Sequence, residues 1–302
     1  MDMNQVKASV VIITWNRRGE IGETLQALRE QDYKNFEVIV VDNNSEDGTA
    51  ELIEREFPGV RLICLPQNTG IAGRNDGIAA ARGEIIVFCD DDVIFERDWI
   101  GNAVGRFEAE PRVGLLASKL FNYYDKRLCN WAHPVDASEY ADREFDSITF
   151  CCGASAARKS VLDEVGYFAE ELFAYHEEED LSTRIIDAGY RILYCPELVA
   201  YHKIPTGEPL RMGKLRMYYG TRNGIWFFWK YYPLRMALMA TLLKIPFELG
   251  GYAFKRRDLG TYLRACFAAI WGLPGILRIR QPVSRETLER VTGPRMRMLL
   301  RL

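Results

Sequence analysis

Short unbroken apolar runs alternate with helix-period patterns over the first hundred residues. Ser9-Val10-Val11-Ile12-Ile13-Thr14, Phe36-Glu37-Val38-Ile39-Val40-Val41, the span Val60 to Leu65, and Glu84-Ile85-Ile86-Val87-Phe88-Cys89 read as strands buried on both faces. Between them Ile21, Leu25 and Leu28, then Leu52, Ile53 and Phe57, then the span Ile71 to Ala81 follow a helical period. This alternation predicts an α/β fold, a mostly parallel sheet flanked by helices. Gly114 to Lys119 predicts a further strand. From Phe121 to Phe150 the period is lost, which predicts an irregular loop or hairpin region over the crevice. Order returns at Val161 to Val165, then in a helix around Leu181, Ile185 and Ile186 that stops at Gly189 before a strand from Tyr190 to Tyr194.

The pattern changes after Pro205. Tyr218-Tyr219, Trp226-Phe227-Phe228-Trp229 and Tyr231-Tyr232 interleave with Arg216, Arg222, Lys230 and Arg235. Met236 to Phe254 is largely apolar but contains Lys244, Pro246 and Glu248, which makes it a poor membrane span. Basic, aromatic-rich amphipathic helices lying in a membrane interface fit the pattern. A helical bundle packed on the preceding domain is the alternative.

Composition narrows the class. With 302 residues, 48% hydrophobic and 27% charged, the chain is globular, with room for one large domain or a domain and an appendage. Seven cysteines without a CxxC pair argue against a disulfide framework or a structural zinc site. Cys64, Cys89 and Cys195 read as small core residues, and Met1 to Lys7 lacks a signal pattern, so a cytoplasmic location is expected. The net charge of −3 conceals an asymmetry. Lys203 to Leu302 holds 19 Lys and Arg against 5 Asp and Glu, whereas the preceding residues hold 20 against 37. Such a C-terminal third is expected to meet a polyanion.

Candidate chemistry centres on Asp90-Asp91-Asp92, which directly follows the fourth strand. Ligands of open α/β sheets bind outside the carboxyl ends of the strands. Three adjacent acids there repel one another unless a positive charge neutralises them, and a hard divalent cation does so. Asp42 ends the second strand and faces the same crevice. Asn68 to Gly77 brings backbone amides to a helix N-terminus, a setting suited to anions, with Arg74 either reaching such an anion or standing exposed. Glu177-Glu178-Glu179-Asp180 forms an acidic run in which neighbouring charge and partial burial would raise a carboxyl pKa toward that of a general base. Asp180 and Arg184 stand at helical i, i+4 spacing.

Five segments in order resemble glycosyltransferase family 2. They are Val10 to Asn16, Val40-Val41-Asp42-Asn43-Asn44-Ser45-Glu46-Asp47-Gly48-Thr49, Asn68-Thr69-Gly70-Ile71-Ala72-Gly73-Arg74-Asn75-Asp76-Gly77, the Asp90–Asp92 triad, and Tyr175 to Leu181 with Arg184 and Gly189-Tyr190. The style is that of rhamnosyltransferase-like enzymes of surface polysaccharide assembly. The resemblance implies a GT-A nucleotide-diphospho-sugar transferase fold over residues 1–204, with a C-terminal helical, membrane-surface extension over 205–302. It implies an inverting transfer from a nucleoside diphosphate sugar to a glycan or a polyprenyl-diphosphate-linked glycan, with UDP or dTDP favoured as carrier and guanine left open because it too offers N–H donors to Asp42. Thr14, Asn16, Asp42, Asn44, Asn68, Gly70, Arg74, Asn75 and Asp91 would bind the donor. Asp90, Asp92 and His202 would hold Mg²⁺ or Mn²⁺. The general base maps to Glu178, where Glu replaces the commoner Asp, with Glu177 as rival. An anionic membrane surface is the expected polyanion, nucleic acid is not expected, and a homo-oligomer is left open. A metal-dependent phosphatase or phosphotransferase, which would leave Asp42 and the acidic run unused, and a non-enzymatic membrane-binding module are the competing readings. A dinucleotide oxidoreductase is a weaker reading still, because no G-x-G-x-x-G follows the first strand.

Overall fold

The computed structural model describes residues 6–204, 210–250 and 258–300. Strands β1 (Ala8–Thr14), β2 (Phe36–Asp42), β3 (Arg61–Cys64) and β4 (Ile85–Asp90) alternate with helices α1 (Ile21–Arg29), α2 (Thr49–Glu56) and α3 (Arg74–Ala80). They pair in parallel in the order β3-β2-β1-β4. Successive residues of β1 face opposite layers. Val10 and Ile12 join Leu25, Leu28 and Trp99 on one side, and Val11 joins Ile78, Leu181 and Ile185 on the other. Burial on both faces is why these strands carry no polar alternation.

Beyond β4 the sheet is mixed, and the apolar pattern foresaw this part less well. The chain continues through β5 (Val93–Phe95), α4 (Trp99–Ala109), β6 (Val113–Asn122), a short helix α5 (Ala137–Tyr140) and β7 (Phe145–Ser147). It then runs through β8 (Ala154–Arg158), α6 (Lys159–Val165), α7 (Glu177–Asp187) and β9 (Arg191–His202). Strand β8 runs antiparallel between β4 and β6, and β9 lies parallel to β6. The strand expected at Tyr190 to Tyr194 extends to His202, because its far half pairs with β5. Within the region expected to be irregular, β7 adds an edge to β9. Cys64, expected in the core, is exposed.

The C-terminal helices are α8 (Leu210–Tyr231), α9 (Leu234–Glu248), α10 (Leu259–Arg278) and α11 (Arg285–Leu300). Among the described residues no helix is long and apolar enough to cross a membrane. The aromatics expected at a membrane interface point inward instead. Trp226, Phe227, Phe228, Tyr231 and Tyr232 are buried, and the Trp226 indole donates to the Ala269 carbonyl at 3.0 Å. The aromatic end of α8, from Ile225 onward, thus packs as a core, and the bundle alternative describes this segment.

One buried network locks the bundle to α7. Asp180 on α7 accepts from Arg184 Nε and Nη2 at 3.0 and 2.7 Å, from Lys230 Nζ at 2.8 Å and from the Tyr231 hydroxyl at 2.6 Å. Arg184 also donates to the carbonyls of Val165, Gly166 and Tyr167. Burial alone would raise the Asp180 carboxyl, but Arg184 and Lys230 hold it below its ordinary value. Removing one partner of such a network strands the others in the interior. Asp180→Ala is therefore expected to lower unfolding free energy by about 3–5 kcal/mol, read from denaturant titration.

Candidate active site

Strand register builds the site. Thr14 lies opposite Asp42 and Ile13 opposite Asp90, so the two acids flank the end of β1. The Asp42 carboxylate does two things. Its Oδ2 accepts the Ser45 amide at 3.0 Å, closing the turn, while its buried Oδ1 has no partner. Next to it Asn43, which the sequence reading did not single out, is buried and ties the third motif in place. Its Nδ2 donates to Asn68 Oδ1 at 2.9 Å and to the Gly70 carbonyl at 3.0 Å, and its Oδ1 accepts the Thr69 amide. Asn16 Oδ1 accepts the Glu46 amide at 2.8 Å, and Asn44 stands exposed with φ of 65°.

The triad divides its work. Thr14 Oγ1 donates to Asp91 Oδ2 at 2.7 Å. Burial pushes the Asp91 carboxyl up to about 7, helped by Asp92 and Asp90 and opposed by Thr14 and Arg17. Asp90, Asp92 and His202 bring one ligand atom each to within 4.8 Å of one another. His202 reaches Asp92 because β9 ends beside β5, with Val93 opposite His202. Its Nε2 lies 3.2 Å from Asp92 Oδ1, and its Nδ1 lies 3.1 Å from Asn130 Oδ1. Burial opposes the charge on each, but their mutual bond prevails, lowering Asp92 and raising His202. Two carboxylates and an imidazole are a donor set suited to a divalent cation, so these residues fit the expected metal.

Arg74 departs from both expectations for it. It is fully buried, ion-paired with Asp90 from beneath, and its guanidinium donates to the carbonyls of Cys152 and Cys89 at 3.2 and 3.3 Å. It supports the acid cluster and is not a surface group. Gly153 makes room for the same carboxylate, since a Cβ there would meet Asp90 Oδ2 at 2.6 Å. Asn75 is likewise engaged elsewhere, its amide donating to and accepting from the Phe168 backbone. Arg17, which no pattern flagged, stands 3.9 Å from Asp91 and 3.7 Å from Asp92.

The acidic run opens α7. Burial pushes Glu177 up to about 7, with Glu179 adding and Arg74 opposing. Its Oε2 is buried without a partner. Glu178 rises well above the usual carboxylate range through burial, then the charges of Glu177 and Glu179. Its Oε1 accepts the Cys152 amide at 3.4 Å. Glu178 also lines a cavity of about 300 Å³ with His176, Thr221, Lys244 and Glu248, so α8 and α9 form one wall of the space beside it.

Residues 9–166, more than half of the chain, match the family described as glycosyl transferase family 2. The chain is 29% identical to YfnE of Bacillus subtilis (strain 168), an uncharacterized glycosyltransferase, over 65% of its own length and 50% of that protein's. It therefore spans about half the length of that relative. It is 33% identical to WfaP of Escherichia coli, the UDP-Glc:alpha-D-GlcNAc-diphosphoundecaprenol beta-1,3-glucosyltransferase, over 66% of this chain and 78% of WfaP. Among solved structures, the mannosyltransferase PcManGT from Pyrobaculum calidifontis, in complex with GDP-Man and Mn²⁺, superposes with a TM-score of 0.60 at 21% identity. That match covers 97% of this chain and 80% of PcManGT and shows a shared fold, the expected GT-A arrangement.

The raised carboxyls fix a pH dependence. Asp91 and Glu177 sit at about 7 in the folded chain, above the ordinary carboxyl value near 4. Their contribution to stability is complete below about pH 4 and is lost as pH rises through about 7. His202, also raised, loses its contribution in the same direction, whereas Asp92 and Asp180, both lowered, titrate below this window. Metal-free protein is therefore expected to melt at lower temperature at about pH 8 than at about pH 5. Added Mn²⁺ should raise the melting temperature more at the higher pH. A melting temperature that climbs across this interval without metal would contradict the assignment.

Proposed function

The chain belongs to glycosyl transferase family 2, and we propose that it is an inverting glycosyltransferase acting on a nucleoside diphosphate sugar, with UDP or dTDP as carrier. The observation that carries this reading is the convergence of Asp42, the Asp90–Asp92–His202 cluster and Glu177–Glu178 on one edge of the sheet. The unpartnered, buried Oδ1 of Asp42 suits the imide N–H of uracil or thymine, a donor that would satisfy it. Mg²⁺ or Mn²⁺ held by Asp90, Asp92 and His202 would supply positive charge to the departing diphosphate.

Glu178 is the proposed base. It removes the proton of the acceptor hydroxyl as that oxygen bonds to the sugar C1. The bond from C1 to the diphosphate oxygen breaks on the opposite face, and the nucleoside diphosphate leaves with the electron pair. A raised pKa makes a carboxylate a stronger proton acceptor, which suits this task. The cavity shared with His176, Thr221, Lys244 and Glu248 gives an acceptor hydroxyl access to it. The acceptor class proposed is a glycan or a polyprenyl-diphosphate-linked glycan, supported by the donor and acceptor that the name of WfaP carries.

Glu178→Gln is expected to leave nucleotide-sugar affinity unchanged and to lower turnover by on the order of 10²–10⁴, the range for a lost general base. EDTA should abolish transfer and Mg²⁺ or Mn²⁺ restore it. A loss confined to Glu177→Gln would move the base by one residue, and full activity in chelator would sink the metal assignment.

We further propose that the protein works at the cytoplasmic face of a membrane, held peripherally. The supporting surface is not the aromatic face of α8 but the outer sides of α9 and α10. Leu242, Leu243, Phe267, Ile270 and Trp271 are exposed there, Trp271 at 79% of its surface, with Arg235, Arg264 and Arg278 beside them in sequence. Apolar side chains entering the acyl boundary and cations at the headgroups form an interfacial pair. Binding to anionic vesicles should exceed binding to neutral ones, weaken with salt, and fall in a Phe267→Ser/Trp271→Ser variant. Equal partition onto both kinds of vesicle, or onto neither, would refute it.

A further inference from the structure

The turn that delivers the chain into α7 is strained. Phe173, Tyr175 and His176 have φ of 62°, 65° and 69°, a region that residues with side chains rarely occupy. Such a conformation persists only where its surroundings over-determine it. Part of the restraint comes from the third motif. The Ile71 amide donates to the Phe173 carbonyl at 2.7 Å, and Gly70 lies so close that a Cβ would meet that same oxygen at 2.1 Å.

The rest comes from α8. Asn223 is fully buried, and its Nδ2 donates to the carbonyls of Leu172, Ala174 and Tyr175 at 2.8, 2.7 and 2.9 Å. Its Oδ1 accepts from Arg222 Nε at 2.8 Å, which fixes which way the amide faces. Arg222 Nη2 donates in turn to the carbonyls of Leu172 and Glu171 at 3.0 and 3.1 Å. The Tyr219 ring stacks on Phe173 with centroids 5.2 Å apart. Apolar packing alone would hold α8 against this layer. It would not by itself aim a side-chain amide at the carbonyls of Leu172, Ala174 and Tyr175.

Glu177 and Glu178 follow His176 directly, so the backbone angles of this turn set the direction in which α7 begins. We infer that Asn223 is the positioning residue for the acidic run. By gathering the Leu172, Ala174 and Tyr175 carbonyls it holds the left-handed turn closed and fixes where Glu177 and Glu178 stand relative to Asp90. The C-terminal helices then form a working part of the site, with Lys230 and Tyr231 gripping α7 one turn further on through Asp180. This role rests on the proposed base chemistry of Glu178.

The test uses the full chain with Asn223→Ala and the milder Asn223→Ser, which keeps one donor. Turnover should fall by on the order of 10²-fold in the alanine variant, the scale of a small misplacement of a catalytic group, and by less in the serine variant. Donor affinity, read by nucleotide titration, should stay unchanged. Amide hydrogen exchange should accelerate over residues 173–178 but not in β1 or β4. Two outcomes would overturn the role: unchanged turnover and exchange in both variants, or exchange rising equally in β1 and β4 with a matching loss of donor affinity. Should the alanine variant fail to fold, the serine variant alone decides. Absence of transfer in the unmodified chain would refute the proposed reaction instead, and the exchange result would still decide whether Asn223 holds the turn.

Discussion

Carboxylates crowd one edge of this sheet, and their mutual repulsion is the condition around which the rest is arranged. Asp42, Asp90, Asp91 and Asp92 arrive there through parallel register, and Glu177 and Glu178 through the start of α7. The compensating charges come from different directions. Arg74 lies buried beneath Asp90, Arg17 reaches in from the first βα turn, and His202 comes from the end of the longest strand. That balance is incomplete, which is why Asp91, Glu177 and Glu178 shift upward while Asp92, bonded to His202, shifts down. Acids whose environments push their pKa values apart are suited to different tasks, one staying charged and another trading protons.

Such a site works against folding, and the scaffold offsets it nearby. Like charges and a left-handed turn of three non-glycine residues sit at the head of α7. One turn further along the same helix, Asp180 collects Arg184, Lys230 and Tyr231 in a network with its lone pairs satisfied. Behind α7 the apolar residues Leu181, Ile185 and Ile186 enter the core shared with Val11, Ile39 and Phe88. The chain is thus strained where it enters the helix and anchored from Asp180 onward, so Glu177 and Glu178 are held by a rigid element and not by a loop.

What could be read from sequence follows from what a linear pattern encodes. Unbroken apolar runs mark strands buried on both faces, so β1 to β4 and the acids ending β2 and β4 were legible before any coordinates. The antiparallel β8 was harder, because Ala154-Ser155-Ala156-Ala157 is made of small residues that fit between β4 and β6 and carry little hydrophobic signal. The internal partners of Arg74 and Asn75 were hidden for a related reason. A polar residue early in a helix looks the same whether it faces solvent, a ligand or a buried carboxylate, and only the packing of α3 under Asp90 decides. The aromatic α8 was misassigned because basic residues interleaved with Trp and Tyr suit both a membrane interface and a buried face whose cations find internal acceptors.

That last ambiguity also recasts the charge asymmetry between the two parts of the chain. Several cations of the C-terminal third are consumed inside the molecule. Lys230 serves Asp180 and Glu171, Lys244 pairs with Glu248, and Arg222 and Arg280 cap backbone carbonyls. Lys230 meets acids of the preceding domain directly, and the others are held by carbonyls or by an acid of their own helix. Among the described residues, Arg235, Arg264 and Arg278 face outward, near in sequence to the exposed apolar positions of α9 and α10. Counting every Lys and Arg therefore overstates the attraction to a surface. Cations held at fixed buried partners add nothing to it, while each exposed one near a lipid headgroup contributes about 1 kcal/mol. Of the buried cations, Lys230 and Arg222 fasten α8 to Glu171, Leu172 and Asp180.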